Sequence, residues 1–289
     1  MSDDVRKPRI RTRLSVLFAA AAPKAVILRR GPRTHWNLVT WDLKTDTFTS
    51  GQWMKGLVKL CDLSPSGSRL MYWAAQYHMP TRHRIAPVRS GPYDSIRALA
   101  PRPTRAGRKT PRYMKPEPSS QGGHPRPMPI GGPFTAISTP PYFSALAIWP
   151  GFGHWTGGGA FLDERNILLN EGPNALTPIA NVPIPKWFEI RSLLPHRATA
   201  RLCATWPSEG VNLYDGSIAP GLLASGADWV DWIHISGKDL LFACDGCVYR
   251  LGDWQNLPPE DYLKCATLLA DLRPLHFELV KPPAEALRW

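Results

Sequence analysis

The chain has 289 residues, 43% of them hydrophobic and 20% charged, with a formal net charge of +12. This is a globular mixture, long enough for one large domain or two small ones, and it excludes wholesale disorder and a coiled coil. The 31 prolines are about twice the usual share; with 12 tryptophans they argue against long helices and for many short strands joined by turns. Five cysteines, Cys61, Cys203, Cys244, Cys247 and Cys265, are too few for a disulfide scaffold in a chain of this length and imply a reducing, cytoplasmic setting.

The first 13 residues form a basic arm holding Arg6, Lys7, Arg9, Arg11 and Arg13. The apolar run Leu14 to Ala22 that follows imitates a secretory signal, but Asp3 and Asp4 spoil the basic region and the apolar pattern resumes at Ala25-Val-Ile-Leu28. No stretch reaches the roughly 18 apolar residues of a membrane helix. Lys24 to Arg30 and the alternating Trp36-Asn-Leu-Val-Thr-Trp-Asp42 read as strands, with a turn over Asp42 to Asp46 and a return at Thr47 to Thr49. The next unit opens at Lys59-Leu-Cys-Asp-Leu63, turns on Ser64-Pro-Ser-Gly67 and runs on through Arg69-Leu-Met-Tyr-Trp73.

From 79 to 133 periodicity fails and the chain reads as a long basic, proline-rich insertion. Arg82, Arg84, Arg89, Arg97, Arg102, Arg105, Arg108, Lys109, Arg112, Lys115 and Arg126 face only Asp94 and Glu117. The charge is therefore lopsided: residues 1 to 130 hold 24 Lys or Arg against 7 Asp or Glu, and residues 131 to 289 hold 11 against 16. Such a segment neutralises phosphates without reading sequence, or meets an acidic protein surface, or touches nothing in particular. Only Tyr93 and Tyr113 lie within it, so a stacking platform for bases is not evident there.

Beyond the insertion, strands are expected at Ala145 to Trp149, on either side of a turn at Asp163 to Asn166, at Thr199 to Trp206 and at Val211 to Tyr214. Ile233 to Cys244 and Cys247-Val-Tyr-Arg-Leu251 flank Asp245-Gly246, the composition of a type I′ hairpin. One short helix is expected over Pro259 to Leu272, where Glu260 and Asp261 suit the first turn.

Trp41-Asp-Leu-Lys-Thr-Asp46 resembles the Trp-Asp strand end of WD40-type propellers, and Leu63-Ser-Pro-Ser-Gly-Ser-Arg-Leu70 resembles the turn phrase that opens their strands. Together with Arg29-Arg-Gly-Pro32, Gly51-Gln-Trp53, Cys61-Asp-Leu-Ser-Pro65 and Trp155-Thr-Gly-Gly-Gly159, these phrases resemble uncharacterised bacterial proteins that look like degenerate WD40-like β-propellers. The resemblance implies an all-β, irregular propeller-like domain of about five or six blades over residues 1–289, and no activity. No Gly-His phrase precedes Trp41 at WD40 spacing, and the insertion interrupts the succession of blades.

No nucleophile elbow, phosphate-binding loop or His-Glu-x-x-His helix is present, so no catalytic or metal residues and no cofactor are assigned. Trp155 to Gly159 reads as a tight bend rather than an anion cradle. Cys244-Asp-Gly-Cys247 has the gap of a zinc knuckle without a second pair, leaving strand cysteines, a metal site and a redox pair as readings. Two functions are carried forward. The first is a non-catalytic scaffold of a bacterial multiprotein assembly, binding a protein or a nucleic acid, not a membrane, through the ten cations from Arg82 to Lys115. The second is a propeller-type hydrolase whose acids, Asp42, Asp62, Asp163 and Asp215, gather in a deep axial pocket with raised pKa values. A scaffold should instead show these acids as exposed turn braces.

Overall fold

The computed structural model describes residues 11–31, 35–75, 133–151, 157–170, 178–180, 183–192 and 218–289. A first antiparallel sheet is the plain meander β1 (Arg13–Phe18), β2 (Lys24–Arg30), β3 (His35–Asp42) and β4 (Thr47–Lys55). The second contains β5 (Leu57–Leu63), β6 (Leu70–Ala75), β7 (Phe134–Ser138) and β8 (Ala145–Pro150), extended at its edge by β11 (Ile179–Ala180). The third is mixed: β9 (Gly159–Phe161) pairs antiparallel with β10 (Asn166–Leu169), which pairs parallel with β12 (Glu189–Ser192). A fourth meander contains β13 (Val230–Ser236), β14 (Asp239–Cys244), β15 (Cys247–Gly252) and β16 (Thr267–Asp271).

The sheets stack face to face in the order fourth, first, second, third. Leu14, Val16, Ile27 and Trp41 meet Trp232, Leu241 and Val248 between the fourth and first sheets. Val26, Leu28 and Leu38 meet Leu63, Leu70, Tyr72 and Phe143 between the first and second. Met71, Trp73, Ile137 and Trp149 meet Ile167, Leu169 and Phe188 between the second and third. Inner strands therefore lose the alternation of a half-solvated sheet: β6 and β7 are buried at every position, because each side chain faces one neighbouring sheet or the other. The far face of the fourth sheet is covered by a short helix α1 (Ile218–Ala224) and by Tyr262 of α2 (Tyr262–Cys265).

The first strand of each sheet touches the next: β13 packs on β1, β1 on β5 and β5 on β9. They run in the same sense, since the turn after β1 hydrogen-bonds the turn after β5, Ala21 N–H to Pro65 O, and the turn after β5 meets Glu164 in the turn after β9. No closed ring of sheets is seen among the described residues.

The all-β expectation holds, with corrections. Among the described residues two short helices are present rather than at most one. The helix expected over Pro259 to Leu272 is a 3-10 turn at Pro259–Asp261 followed by α2, and Leu268 and Leu269 lie in β16. Pairing of β16 with β15 wins there: Val248 opposes Ala270 and Tyr249 opposes Leu268, and Leu269 and Ala270 reach the core of the first sheet, which a helix could not do. The expected strands at Thr199 to Trp206 and Val211 to Tyr214 lie outside the described residues.

Candidate functional site

The acids do not converge. Asp42 Oδ1 accepts the Lys44 and Thr45 N–H groups, and Asp163 Oδ1 accepts those of Arg165 and Asn166. The same hydrogen bonds hold the Asp163 carboxyl below its ordinary pKa. Asp245 accepts from the Asp228 and Trp229 N–H groups, tying the β14–β15 turn to the entry of β13. Asp62 joins sheets: its Oδ2 accepts the Phe161 N–H of β9 at 2.6 Å and its Oδ1 the Leu63 N–H. Burial raises its pKa although these bonds lower it. Each carboxylate is committed to backbone amides, a bracing chemistry rather than a general-acid arrangement. Asp215 lies outside the described residues, as do Trp155 and Thr156 of the glycine phrase. Gly157 and Gly158 have positive φ, and the Gly158 N–H donates to Thr135 Oγ1.

Cys244 and Cys247 oppose one another across the Asp245-Gly246 turn, where both turn residues have positive φ as a type I′ hairpin requires. Both thiols are free and buried, and burial pushes Cys244 up to about 12, far from a reactive thiolate. No group of three His, Cys, Asp or Glu that could hold a metal exists among the described residues.

At the turn end of the first and second sheets, a cleft of about 430 Å3 is lined by Lys24, Thr40, Trp41, Asp42, Thr47 and Thr49 on one wall and by Gly67 and Pro140 on the other. Register sets Thr40 against Thr49 and Asp42 against Thr47, so the hydroxyls form a ladder on one face. Hydroxyls and a single committed carboxylate suit hydrogen bonding to a small polar solute and provide no nucleophile–base pair.

The opposite end of the sheets is cationic and aromatic. Arg13 opposes Arg30 in the β1–β2 ladder, and Arg30 opposes Trp36 in the β2–β3 ladder. The guanidinium of Arg30 lies 5.5 Å from the Trp36 ring and that of Arg11 lies 4.7 Å from the Trp229 ring. Trp36 Nε1–H donates to Gly56 O at 2.7 Å, beside the start of β5, where Leu57 pairs with Ala75. Ala75 ends β6 shortly before the basic insertion, and the chain returns in β7 at Phe134, the register partner of Ala74. The insertion is thus rooted on this end. Arg82, Arg84, Arg89, Arg97, Arg102, Arg105, Arg108, Lys109, Arg112 and Lys115 themselves lie outside the described residues.

Two charged residues here carry no signal in the sequence. Asp231, with a side chain 2% exposed, is paired with Arg13 at 2.6 Å and accepts the Leu14 N–H, joining the fourth sheet to the first. Burial raises its pKa to about 6 against the opposing pull of Arg13. Arg29, 2% exposed, lies 5.3 Å from the Trp53 ring and donates to the carbonyls of Leu272, Gly31 and Arg273, fixing the chain as it leaves β16. That segment continues past Gln52, whose Nε2–H donates to Val280 O, to Trp289, 4.8 Å from Phe188. Among the described residues no helix is long and apolar enough to cross a membrane. Comparison with family models, curated proteins and solved structures finds no match to this chain.

Proposed function

We propose that the protein is a non-catalytic scaffold or adaptor of a bacterial multiprotein assembly, docking an acidic protein or nucleic-acid surface through its basic N-terminal half. The observation that carries this reading is the rooting of the insertion, with its 11 cations and 2 acids, on the same end of the sheets as Arg11, Arg13 and Arg30. The frame behind it is propeller-like, with the sheets as irregular blades. Support comes from the co-directional first strands β13, β1, β5 and β9, each touching the next, and from the Trp41-Asp42 strand end meeting its turn. The hydrolase alternative has little to build on among the described residues, since Asp42, Asp62 and Asp163 are spent on backbone amides in three separate turns or strands.

The test is retention on immobilised heparin of the full chain and of a variant with 82–126 deleted. Retention that shifts to lower salt in the variant supports docking through the insertion. Identical elution of the two removes the insertion from the interface.

A further inference from the structure

We infer that the cleft at the turn end of the first and second sheets binds a small zwitterion, an α-amino acid with an uncharged side chain, whose carboxylate meets Lys24 and whose ammonium meets Asp42. The cleft lies at the end of the sheets opposite the root of the basic insertion, so the inference stands apart from the docking reading. Lys24 and Asp42 are the two charged residues that line it, and they oppose one another in the β2–β3 ladder. No ion pair joins them among the described residues. Each is engaged elsewhere: Asp42 Oδ1 accepts the Lys44 and Thr45 N–H groups of its own turn, and the Lys24 stem lies against Gly67 across the gap between the sheets. A Cβ at Gly67 would sit 3.1 Å from Lys24 Cβ and 3.2 Å from Lys24 Cδ, so glycine there leaves the stem its place. Asp42 Oδ2 receives no hydrogen bond among the described residues and is left to accept one.

Thr40 and Thr49 oppose one another on the wall beside these charges and add hydroxyls, which both donate and accept. A zwitterion meets each charge with its opposite, and hydrogen bonds between ionised partners are the stronger kind. An inorganic anion would be repelled by Asp42, and a metal cation would be repelled by Lys24 with one carboxylate to hold it. A sugar would match the hydroxyls but leave both charges unanswered, and Trp41 is 0% exposed, so its ring is no platform for a sugar face. No third charged side chain lines the cleft, which calls for an uncharged side chain on the ligand, with Val26 and Pro140 as apolar surface beside it. A volume of about 430 Å3 lies toward the small end for ligand pockets, a size for one amino acid rather than a peptide.

The experiment is calorimetric titration of the full chain at neutral pH with L-alanine, L-leucine and L-phenylalanine, and with the amide and N-acetyl forms of whichever binds most tightly. The amide lacks the carboxylate and the N-acetyl form lacks the ammonium. At least one amino acid should bind with a Kd of about 1 mM or tighter, and each blocked form should bind about tenfold more weakly or worse. Lys24→Met keeps the apolar stem against Gly67 and should bind the amino acid and its amide alike. Asp42→Asn keeps an oxygen for the turn amides and should bind the amino acid and its N-acetyl form alike. The blocked ligands act on the native chain, so the comparison stands even where a variant fails to fold. Absence of binding by all three amino acids up to about 10 mM, equal binding of a blocked form by the native chain, or a native preference kept in a folded variant overturns the inference. Binding of glucose in their place overturns it as well, and none of these outcomes alters retention on heparin.

Discussion

Asp231 shows how a buried charge behaves where two sheets meet. Its carboxylate is 2% exposed while its partner Arg13 is 49% exposed, so the arginine keeps its water and the aspartate does not. Burial wins and raises the pKa from 3.8 to about 6. A raised carboxyl pKa means that the folded state takes up its proton first, so this group contributes more stability as pH falls through about 6 and the gain is complete below about 4. Against Asp231→Asn, which cannot titrate, the native chain should gain about 3 kcal/mol between about pH 7.5 and about pH 3, at about 1.4 kcal/mol per pKa unit. Urea unfolding of both proteins across that range measures it, and a difference that stays flat with pH would show that Asp231 does not carry this burden. Arg29 is the complementary case: burial lowers its pKa and three carbonyls share its guanidinium. Arg29→Lys keeps the charge but cannot fork across three acceptors, so we expect a loss of about 2 kcal/mol, and about 3 kcal/mol for Arg29→Met, which leaves those carbonyls unpaired. If the lysine variant unfolds at the native urea midpoint, the fork is not what holds the segment after β16.

Among the elements, the β14–β15 hairpin separates turn geometry from close packing. Gly246 has φ +79°, and a Cβ there would approach Arg273 Cγ at 2.9 Å and Thr12 Cβ at 3.0 Å; Gly226, after α1, has φ +111° and open space around it. Gly226→Ala should cost about 1 kcal/mol from backbone conformation alone, and Gly246→Ala about 2 kcal/mol because Thr12 and Arg273 must also give way. Equal thermal shifts would mean that the two chains brought to this turn are loosely held. This hairpin was legible in the sequence because Asp-Gly between apolar strands is a local signal, and the same holds for β2, β3 and the turn at Asp163 to Asn166. The helix expected over Pro259 to Leu272 failed for the opposite reason: Leu263, Ala266, Leu268 and Leu269 read as one apolar side, but the edge of β15 and a core position beside the first sheet, filled by Leu269 and Ala270, claimed the second half as strand. The third sheet was only half legible, since the parallel pairing of β12 with β10 leaves no local trace.

At the scale of the whole molecule, the candidate interface divides into a legible and an illegible part. The positive charge of residues 79–133 is written in composition, whereas the Arg30–Trp36 and Arg11–Trp229 contacts exist only once β2 and β3 are paired and the entry of β13 lies beside the start of β1. The same assembly makes the insertion separable. Ala74 and Phe134 are neighbours in the β6–β7 ladder, so the 58 residues between Ala75 and Phe134 close a gap that a tight connection could span. Shortening that connection to the 13 residues left by removing 82–126 reduces the loop-closure cost by about 1 kcal/mol, from (3/2)RT times the logarithm of the length ratio. The deletion variant should therefore be about 1 kcal/mol more stable than the full chain in urea while eluting earlier from heparin. Stability and polyanion affinity moving in opposite directions is what an insertion devoted to a partner predicts. A deletion that instead costs several kcal/mol would mean that the segment packs on the sheets, and its cations would then belong to the fold rather than to an interface.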